Sequence, residues 1–334
     1  MAGGATRMNP SVGSLGREAT EAVLTGALRR LEGVDAHLEG WVADDHFTEY
    51  GNRRVVRYDL EARVAGVPHV RRYRWLGKFY EHDDDARRVA TLLTAIAAPD
   101  GRDRIGLEVP SVLAYDAPRQ FLLLTYEPGE SVSSAIARDT EPILVAMGRA
   151  LATLHALPIA PARTISPADL VDDIRPRIRD LCGRFPTEAD SLQKAFASLE
   201  RDAPPPRRSP SLVHGDFGPA NLLWRDGRIV VLDFDRCARG DPAADLGNLF
   251  AQLFRMTIRK PEKLRDFPSA RATVLETYRR RSRADSTLDP RVAWYERATL
   301  LRKVHRLAFS RSRPSDAESM QRREAEAVQL IRRE

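Results

Sequence analysis

The sequence predicts an α+β fold in two lobes, a small antiparallel sheet at the N-terminal end and a larger, mainly helical part after it. Segments rich in β-branched and aromatic residues crowd positions 36–80 and 109–125, the composition of half-buried strands. After Ser131 the apolar residues switch to three- and four-residue spacing, the period of helices packed on a core. With 334 residues the chain is also long enough for two lobes. The expected division is a disordered start at 1–13, a first lobe at 14–127 and a helical lobe at 128–334.

Composition narrows the possibilities. Residues are 43% hydrophobic and 30% charged, as in a globular protein, and no apolar run approaches the roughly 20 residues of a membrane span. The opening MAGGATRMNPSVG lacks the apolar core of a signal peptide, so a cytoplasmic protein without a membrane partner is expected. Two cysteines, Cys182 and Cys237, are too few for a disulfide framework and read as free thiols. The net charge of +6 is uneven: residues 251–334 carry 21 Arg and Lys against 11 Asp and Glu, leaving 32 against 36 before them. Without zinc-finger spacing or an aromatic-basic RNA-binding pattern, that excess reads as solvated helix faces and not as a nucleic-acid site.

The elements follow in order. Ser14 to Leu31 places Ala19, Val23, Leu24, Ala27, Leu28 and Leu31 on one broad face, which predicts a helix packed on the first lobe. Three strands follow between residues 36 and 80, ending on Gly77-Lys78-Phe79-Tyr80. Lys78 is the only lysine before Lys194 in an arginine-biased chain, which suits a position needing a compact ammonium. Asp84 to Ile96 reads as a helix with Val89, Leu92, Leu93 and Ile96 on one face. A charged loop at 99–106 precedes a strand at 109–115, and Phe121 to Thr125 is a buried-looking strand stopped by Tyr126-Glu127-Pro128-Gly129. Helices are expected over 142–157, including His155 in a packing or capping role, over 169–199, and from Asp245 to the end. The stretch from Pro204 to Pro210 forms a stiff link.

Residues 211–235, SLVHGDFGPANLLWRDGRIVVLDFD, carry the chemistry. Asp226-Gly227 separates two apolar runs and predicts a two-residue hairpin, because both central residues of a type I′ turn need positive φ. A turn centred there sets Asn221 opposite Leu232, with Asp233 beside it at the end of the return strand. An amide oxygen next to a carboxylate is a hard-oxygen pair, of the kind Mg²⁺ takes together with substrate phosphates. Asp216, on the loop before, is then free to accept a proton from an incoming hydroxyl. Asp235 joins the same side if the strand persists, as a second-carboxylate candidate.

The run His214-Gly215-Asp216-x4-Asn221, then Leu232-Asp233-Phe234-Asp235, then Gly240-Asp241-Pro242-x2-Asp245-Leu246 resembles the aminoglycoside phosphotransferase-like family, which also includes choline, homoserine and fructosamine kinases. The resemblance implies a two-lobed protein-kinase-like fold whose first lobe binds nucleotide. It implies an enzyme that transfers the γ-phosphoryl group of ATP, with GTP open as a substitute, to a hydroxyl of a small molecule. By the resemblance Asp216 is the catalytic base, Asn221 and Asp233 bind Mg²⁺, and Asp245 holds the catalytic loop. Lys78 matches the nucleotide-phosphate lysine, Thr48 to Arg54 with Gly51 stands for the phosphate-covering loop, and Tyr126 and Glu127 form the hinge whose backbone meets the adenine edge. Two departures favour a rival reading, a nucleotide-binding pseudokinase or scaffold. Gly51 alone stands for a glycine-rich loop, and Val89 occupies the helix position where the family places a glutamate against the lysine, leaving Asp85 or Glu81 as substitutes. The basic C-terminal region also argues against polycationic aminoglycosides and for neutral or anionic acceptors.

Overall fold

The computed structural model describes residues 15–50, 53–97, 107–282, 286–309 and 317–333. They fall into two compact units, one within Met1–Arg102 and Val109–Pro128, the other within Asp103–Glu108 and Gly129–Glu334. The stretches expected to be a disordered start, 1–13, and a charged loop, 99–106, lie outside the described residues.

The first unit contains α1 (Arg17–Glu32), β1 (His37–Tyr50), β2 (Arg53–Arg63), β3 (Arg71–Tyr80), α2 (Asp83–Ala97), β4 (Val112–Asp116) and β5 (Phe121–Thr125). Its strands form one antiparallel sheet in the order β1-β2-β3-β5-β4. Leu24, Ala27 and Leu28 of α1 join Val56, Tyr58, Leu60, Trp75, Phe79 and Phe121 in one buried cluster, as the spacing of the helix predicts. Burying a side chain of this size contributes about 1.5–3 kcal/mol. Gly77 belongs to that packing: a Cβ there would lie 2.6 Å from the Phe121 ring and 2.7 Å from that of Tyr58. Side chains alternate along a strand, so Lys78 leaves β3 on the face opposite Phe79. The apolar stripe of α2, Val89, Leu92, Leu93 and Ile96, is buried.

The second unit contains β6 (Glu130–Ser131), α3 (Val132–Ala135), α4 (Thr140–Ala156), α5 (Pro167–Arg184), α6 (Ala189–Arg201), β7 (Ser211–Val213), β8 (Leu222–Arg225), β9 (Arg228–Val231), β10 (Ala238–Gly240), α7 (Ala243–Arg259), α8 (Phe267–Arg281), α9 (Leu288–Phe309) and α10 (Ala317–Arg333). Helix α4 packs on α8 and α7 packs on α9, while α5 contacts α6 and α9. Ser166 and Asp169 cap α5 reciprocally, with Pro167 in its first turn, which satisfies two of the N–H groups a helix start leaves open. The stripe Trp294, Ala298, Leu301 and Val304 is buried. Trp294 donates its indole N–H to the Leu199 carbonyl at 2.8 Å, which gives the buried ring the polar partner it needs. Two short sheets, β10-β7 and β6-β8-β9, carry the polar segment between α6 and α7. Among the described residues no helix is long and apolar enough to cross a membrane. Among the described residues Cys182 and Cys237 form no disulfide.

Candidate active site

The hairpin forms with the expected register. Leu222 pairs with Val231 and Arg225 with Arg228, so Asp226 and Gly227 are the two turn residues, at φ 49° and 78°. Leu232 donates its N–H to the Asn221 carbonyl at 2.9 Å, which sets these two residues opposite each other. Pro219 to Asn221 is a single 3-10 turn leading into β8. Asn221 Nδ2 donates back to the Asp216 carbonyl at 2.9 Å. That bond fixes which amide atom faces the loop and leaves Oδ1 as the acceptor of the side chain.

The return strand does not persist to Asp235. It ends at Val231, Asp233 takes the left-handed conformation at φ 64° and ψ 66°, and Phe234 to Arg236 form a 3-10 turn. The alternation argument that placed Asp235 on the same side as Asp233 therefore does not apply. Left-handed backbone costs an L residue about 1 kcal/mol or more, and Asp tolerates it better than most. Such strain at a carboxylate beside Asn221 is typical of a functional position. Asn221 and Asp233 supply an amide oxygen and a carboxylate, a donor set that fits Mg²⁺ sharing its coordination with phosphates and water.

The loop bearing Asp216 is held from behind by Asp245, in the first turn of α7. Asp245 is fully buried. Its Oδ2 accepts the His214 backbone N–H at 2.7 Å, its Oδ1 accepts that of Gly215 at 2.8 Å, and His155 Nε2 lies 3.1 Å from Oδ2. Burial pushes this carboxyl's pKa upward. The hydrogen bond from His155, the electrostatic influence of the His155 and His214 side chains and the His214 backbone N–H outweigh burial and hold it below the usual carboxylate value. Tyr278, itself held above the usual phenol value by burial, lies with its hydroxyl 3.0 Å from His155 Nδ1. A Tyr O–H donating to Nδ1 leaves Nε2–H to face Asp245. His155, expected in a packing or capping role, is thus the link between α8 and the residue that holds the loop.

His214 fastens the other side. Its ring is buried between Phe217 and Phe234 in edge contacts. Nδ1 accepts the Asp216 N–H at 3.2 Å, and Nε2 lies 2.9 Å from the Leu232 carbonyl. A ring that accepts at Nδ1 must donate at Nε2, so the neutral Nε2–H form ties the loop to the end of the hairpin. Gly215 has φ 77°, and a Cβ on it would lie 2.5 Å from the Arg236 carbonyl oxygen. Only glycine meets both conditions. Asn248, one turn beyond Asp245 on α7, donates to the Phe217 carbonyl at 2.9 Å. Asp216 is left partly exposed at the crest of the loop.

The residues expected to handle nucleotide lie in the first unit. Lys78, paired in register with Val55 and Leu122, is 9% exposed. Val89 is buried, Asp85 is paired with Arg88 at 2.8 Å, and Glu81 is exposed. Strand β1 runs through Tyr50 and β2 starts at Arg53. Of the stretch Thr48 to Arg54, expected to be a loop, Thr48 to Tyr50 belong to β1 and Arg53 and Arg54 to β2, whereas Gly51 and Asn52 lie outside the described residues. At the expected hinge the Tyr126 N–H is already taken by the Arg74 carbonyl at 3.2 Å, and Glu127 Oε1 accepts the Thr125 hydroxyl at 2.6 Å.

Sequence reasoning missed Asn248, Arg236 and Lys303. Lys303, on α9, is half-buried; burial first, then Arg255, Arg306 and Arg236, push its pKa down to about 8, against the pull of the Asp216 carboxylate. The signal for Lys303 was available: it is one of five lysines among 53 basic residues, the same departure from arginine bias that singled out Lys78.

Residues 59–279 match the family model described as "Phosphotransferase enzyme family" (APH). Among solved structures, the chain is similar to a thermostable mutant of aminoglycoside phosphotransferase APH(4)-Ia in ternary complex with ADP and hygromycin B. The two are 14% identical with a TM-score of 0.58, over 91% of this chain and 96% of that one. It is similar to a macrolide 2'-phosphotransferase type I at 17% identity and TM-score 0.53, covering 95% and 98%. It is also similar to aminoglycoside 2'-phosphotransferase-IIIa in its GDP complex at 13% and 0.56, covering 92% and 97%. At these identities the likeness is one of fold, and it agrees with the protein-kinase-like architecture expected from the sequence. No curated protein matches the chain.

Proposed function

The chain belongs to the phosphotransferase enzyme family, and on that footing we propose that it moves the γ-phosphoryl group of a nucleoside triphosphate, ATP in the first instance, to a hydroxyl of a small molecule, with Asp216 as the general base. One observation carries this reading: Asp216 sits on a loop whose backbone is held at His214 and Gly215 by a buried carboxylate and at its own carbonyl by Asn221. Such support positions a reacting group without reorganisation at the moment of reaction. The acceptor O–H gives its proton to the Asp216 carboxylate, its oxygen forms the new bond to the γ-phosphorus, and the bond from that phosphorus to the ADP oxygen breaks. Asn221 through Oδ1 and Asp233 through its carboxylate would hold Mg²⁺, with Asp235 a further candidate. Bound there, the ion would neutralise charge on the phosphates. Lys78 would meet the nucleotide phosphates, and the backbone at Tyr126 and Glu127, apart from the Tyr126 N–H held by Arg74, the adenine edge.

Asp216→Asn tests the assignment. Positioned bases contribute about 10²–10⁴-fold, so turnover of an accepted hydroxyl compound should fall by at least that range while ATP affinity stays unchanged. Full activity in the variant would overturn the role of Asp216. The pseudokinase or scaffold reading rests on the sequence departures at Gly51 and Val89. ATP binding without phosphoryl transfer to any sugar, amino alcohol, hydroxy acid or aminoglycoside would establish it.

A further inference from the structure

Many of the basic side chains of the C-terminal region are ion-paired where they are described. Arg255 and Arg259 meet Glu326, Arg271 meets Glu296, Arg279 meets Asp289, Arg291 meets Asp241, and Arg302 meets Asp173. Lys303 is different. It is half-buried and has no hydrogen bond or ion pair among the described residues. Desolvating an ammonium without a partner is costly, so a lysine kept in that state is unusual unless a ligand completes it.

Its place in the fold follows from the packing of α7 on α9. Asp241, just before α7, is bonded to Arg291 near the start of α9 at 2.8 Å. Further along, a Cβ on Gly247 would lie 2.7 Å from that of Tyr295. The two helices therefore advance together, and eight residues, about 12 Å of rise, carry both to the level of Arg255 and Lys303. The same face of α7 reaches the catalytic loop through Asn248. Arg236 lies next to the same loop. Its backbone lies against Gly215, its side chain is exposed, and it too has no ion pair among the described residues. Its charge acts on Lys303, Arg302 and Asp173. The opposing carboxylate at Lys303 is Asp216 itself.

Resting on the reading of Asp216 as base, we propose that Lys303 and Arg236 bind an anionic group of the acceptor beside Asp216, so that the acceptor is a hydroxyl compound bearing a carboxylate or a phosphate. Two cations beside the base would orient such a molecule with its hydroxyl toward it. A polycation meets repulsion at the same place.

The test uses acceptors matched in hydroxyl pattern: glycerate against glyceramide, glycerol 3-phosphate against glycerol, and an aminoglycoside as the polycation. ATP consumption should concentrate on an anionic member, and which one distinguishes carboxylate from phosphate. Lys303→Met should raise the KM for that acceptor about 10- to 100-fold, the worth of one charge-assisted hydrogen bond, with the KM for ATP unchanged. Best turnover of a neutral or cationic acceptor with KM insensitive to Lys303→Met would overturn the proposal and leave phosphotransfer standing. A readout independent of turnover uses ¹³C reductive methylation of the five lysines, with the Lys303 resonance identified by its loss in the variant. With the nucleotide site filled by AMP-PNP and Mg²⁺, glycerate or glycerol 3-phosphate should shift that resonance and glycerol should not. Such a shift without turnover of any acceptor would keep the subsite and sink the kinase reading. No shift with either anion, or a shift produced by nucleotide alone, would overturn the subsite.

Discussion

Replacing Asp245 with asparagine keeps the shape of the side chain and removes its charge and one acceptor. The carboxylate accepts two backbone N–H groups and faces a third donor, His155 Nε2. An amide has one oxygen, which at best keeps the His214 N–H and His155 and turns its NH₂ toward Gly215. One buried N–H left without an acceptor costs about 1–3 kcal/mol, and two bonds reduced from charge-assisted to neutral lose about 1 kcal/mol each. Relief of carboxylate desolvation returns part of this, leaving about 2–4 kcal/mol of destabilisation. The urea midpoint should fall with the slope unchanged, and kcat should drop about 10²-fold, because displacing Asp216 by an ångström is enough for that. Acid sensitivity gives a second measure. The folded pKa of Asp245 lies below its ordinary 3.8, so this group contributes stability that is present above pH 3.8 and lost as pH falls through the folded value. Stability of Asp245→Asn should therefore depend less steeply on pH at the acid end than that of the parent. A loss under about 1 kcal/mol with kcat intact would refute the claim that Asp245 holds the loop.

Two further substitutions probe the loop and the hairpin. Asn221→Ala removes the amide that faces the Asp216 carbonyl as well as the proposed oxygen ligand, so the Mg²⁺ concentration for half-maximal rate should rise about tenfold or more; an unchanged Mg²⁺ dependence would remove Asn221 from the ligand set. Gly215→Ala places a methyl 2.5 Å from the Arg236 carbonyl at φ 77° and should cost about 2 kcal/mol or more, seen as a lower thermal midpoint together with reduced kcat; parent-like stability would show that the loop moves aside.

Much of the site was legible because it is local. A two-residue Asp-Gly turn sets its own register, so Asn221 opposite Leu232 followed from the sequence before any packing was known. The same logic fails three residues later, at Asp235. Alternation was extended to Asp235, but the strand stops at Val231 and Asp233 turns left-handed. Burial of Phe234 between the strand end and His214 opposes continued alternation, and no period within the sequence reports it. His155 was placed on a helix but not in its role, because its partners Asp245 and Tyr278 lie 90 and 123 residues away.

The sequence by itself determined the antiparallel sheet, the helical remainder, the hairpin and the residue types of the proposed phosphotransfer, since periodicity, turn chemistry and short motifs act over a few residues. Only the tertiary structure decided which charges are already spent. On the sequence the C-terminal region is a uniform basic excess of ten. In the folded chain Arg255, Arg271, Arg291 and Arg302 find carboxylates elsewhere in the fold, and the packing of α7 on α9 leaves Lys303 half-buried within reach of the Asp216 charge. Whether a charge is paired or available depends on distances across the fold, and composition carries none of them.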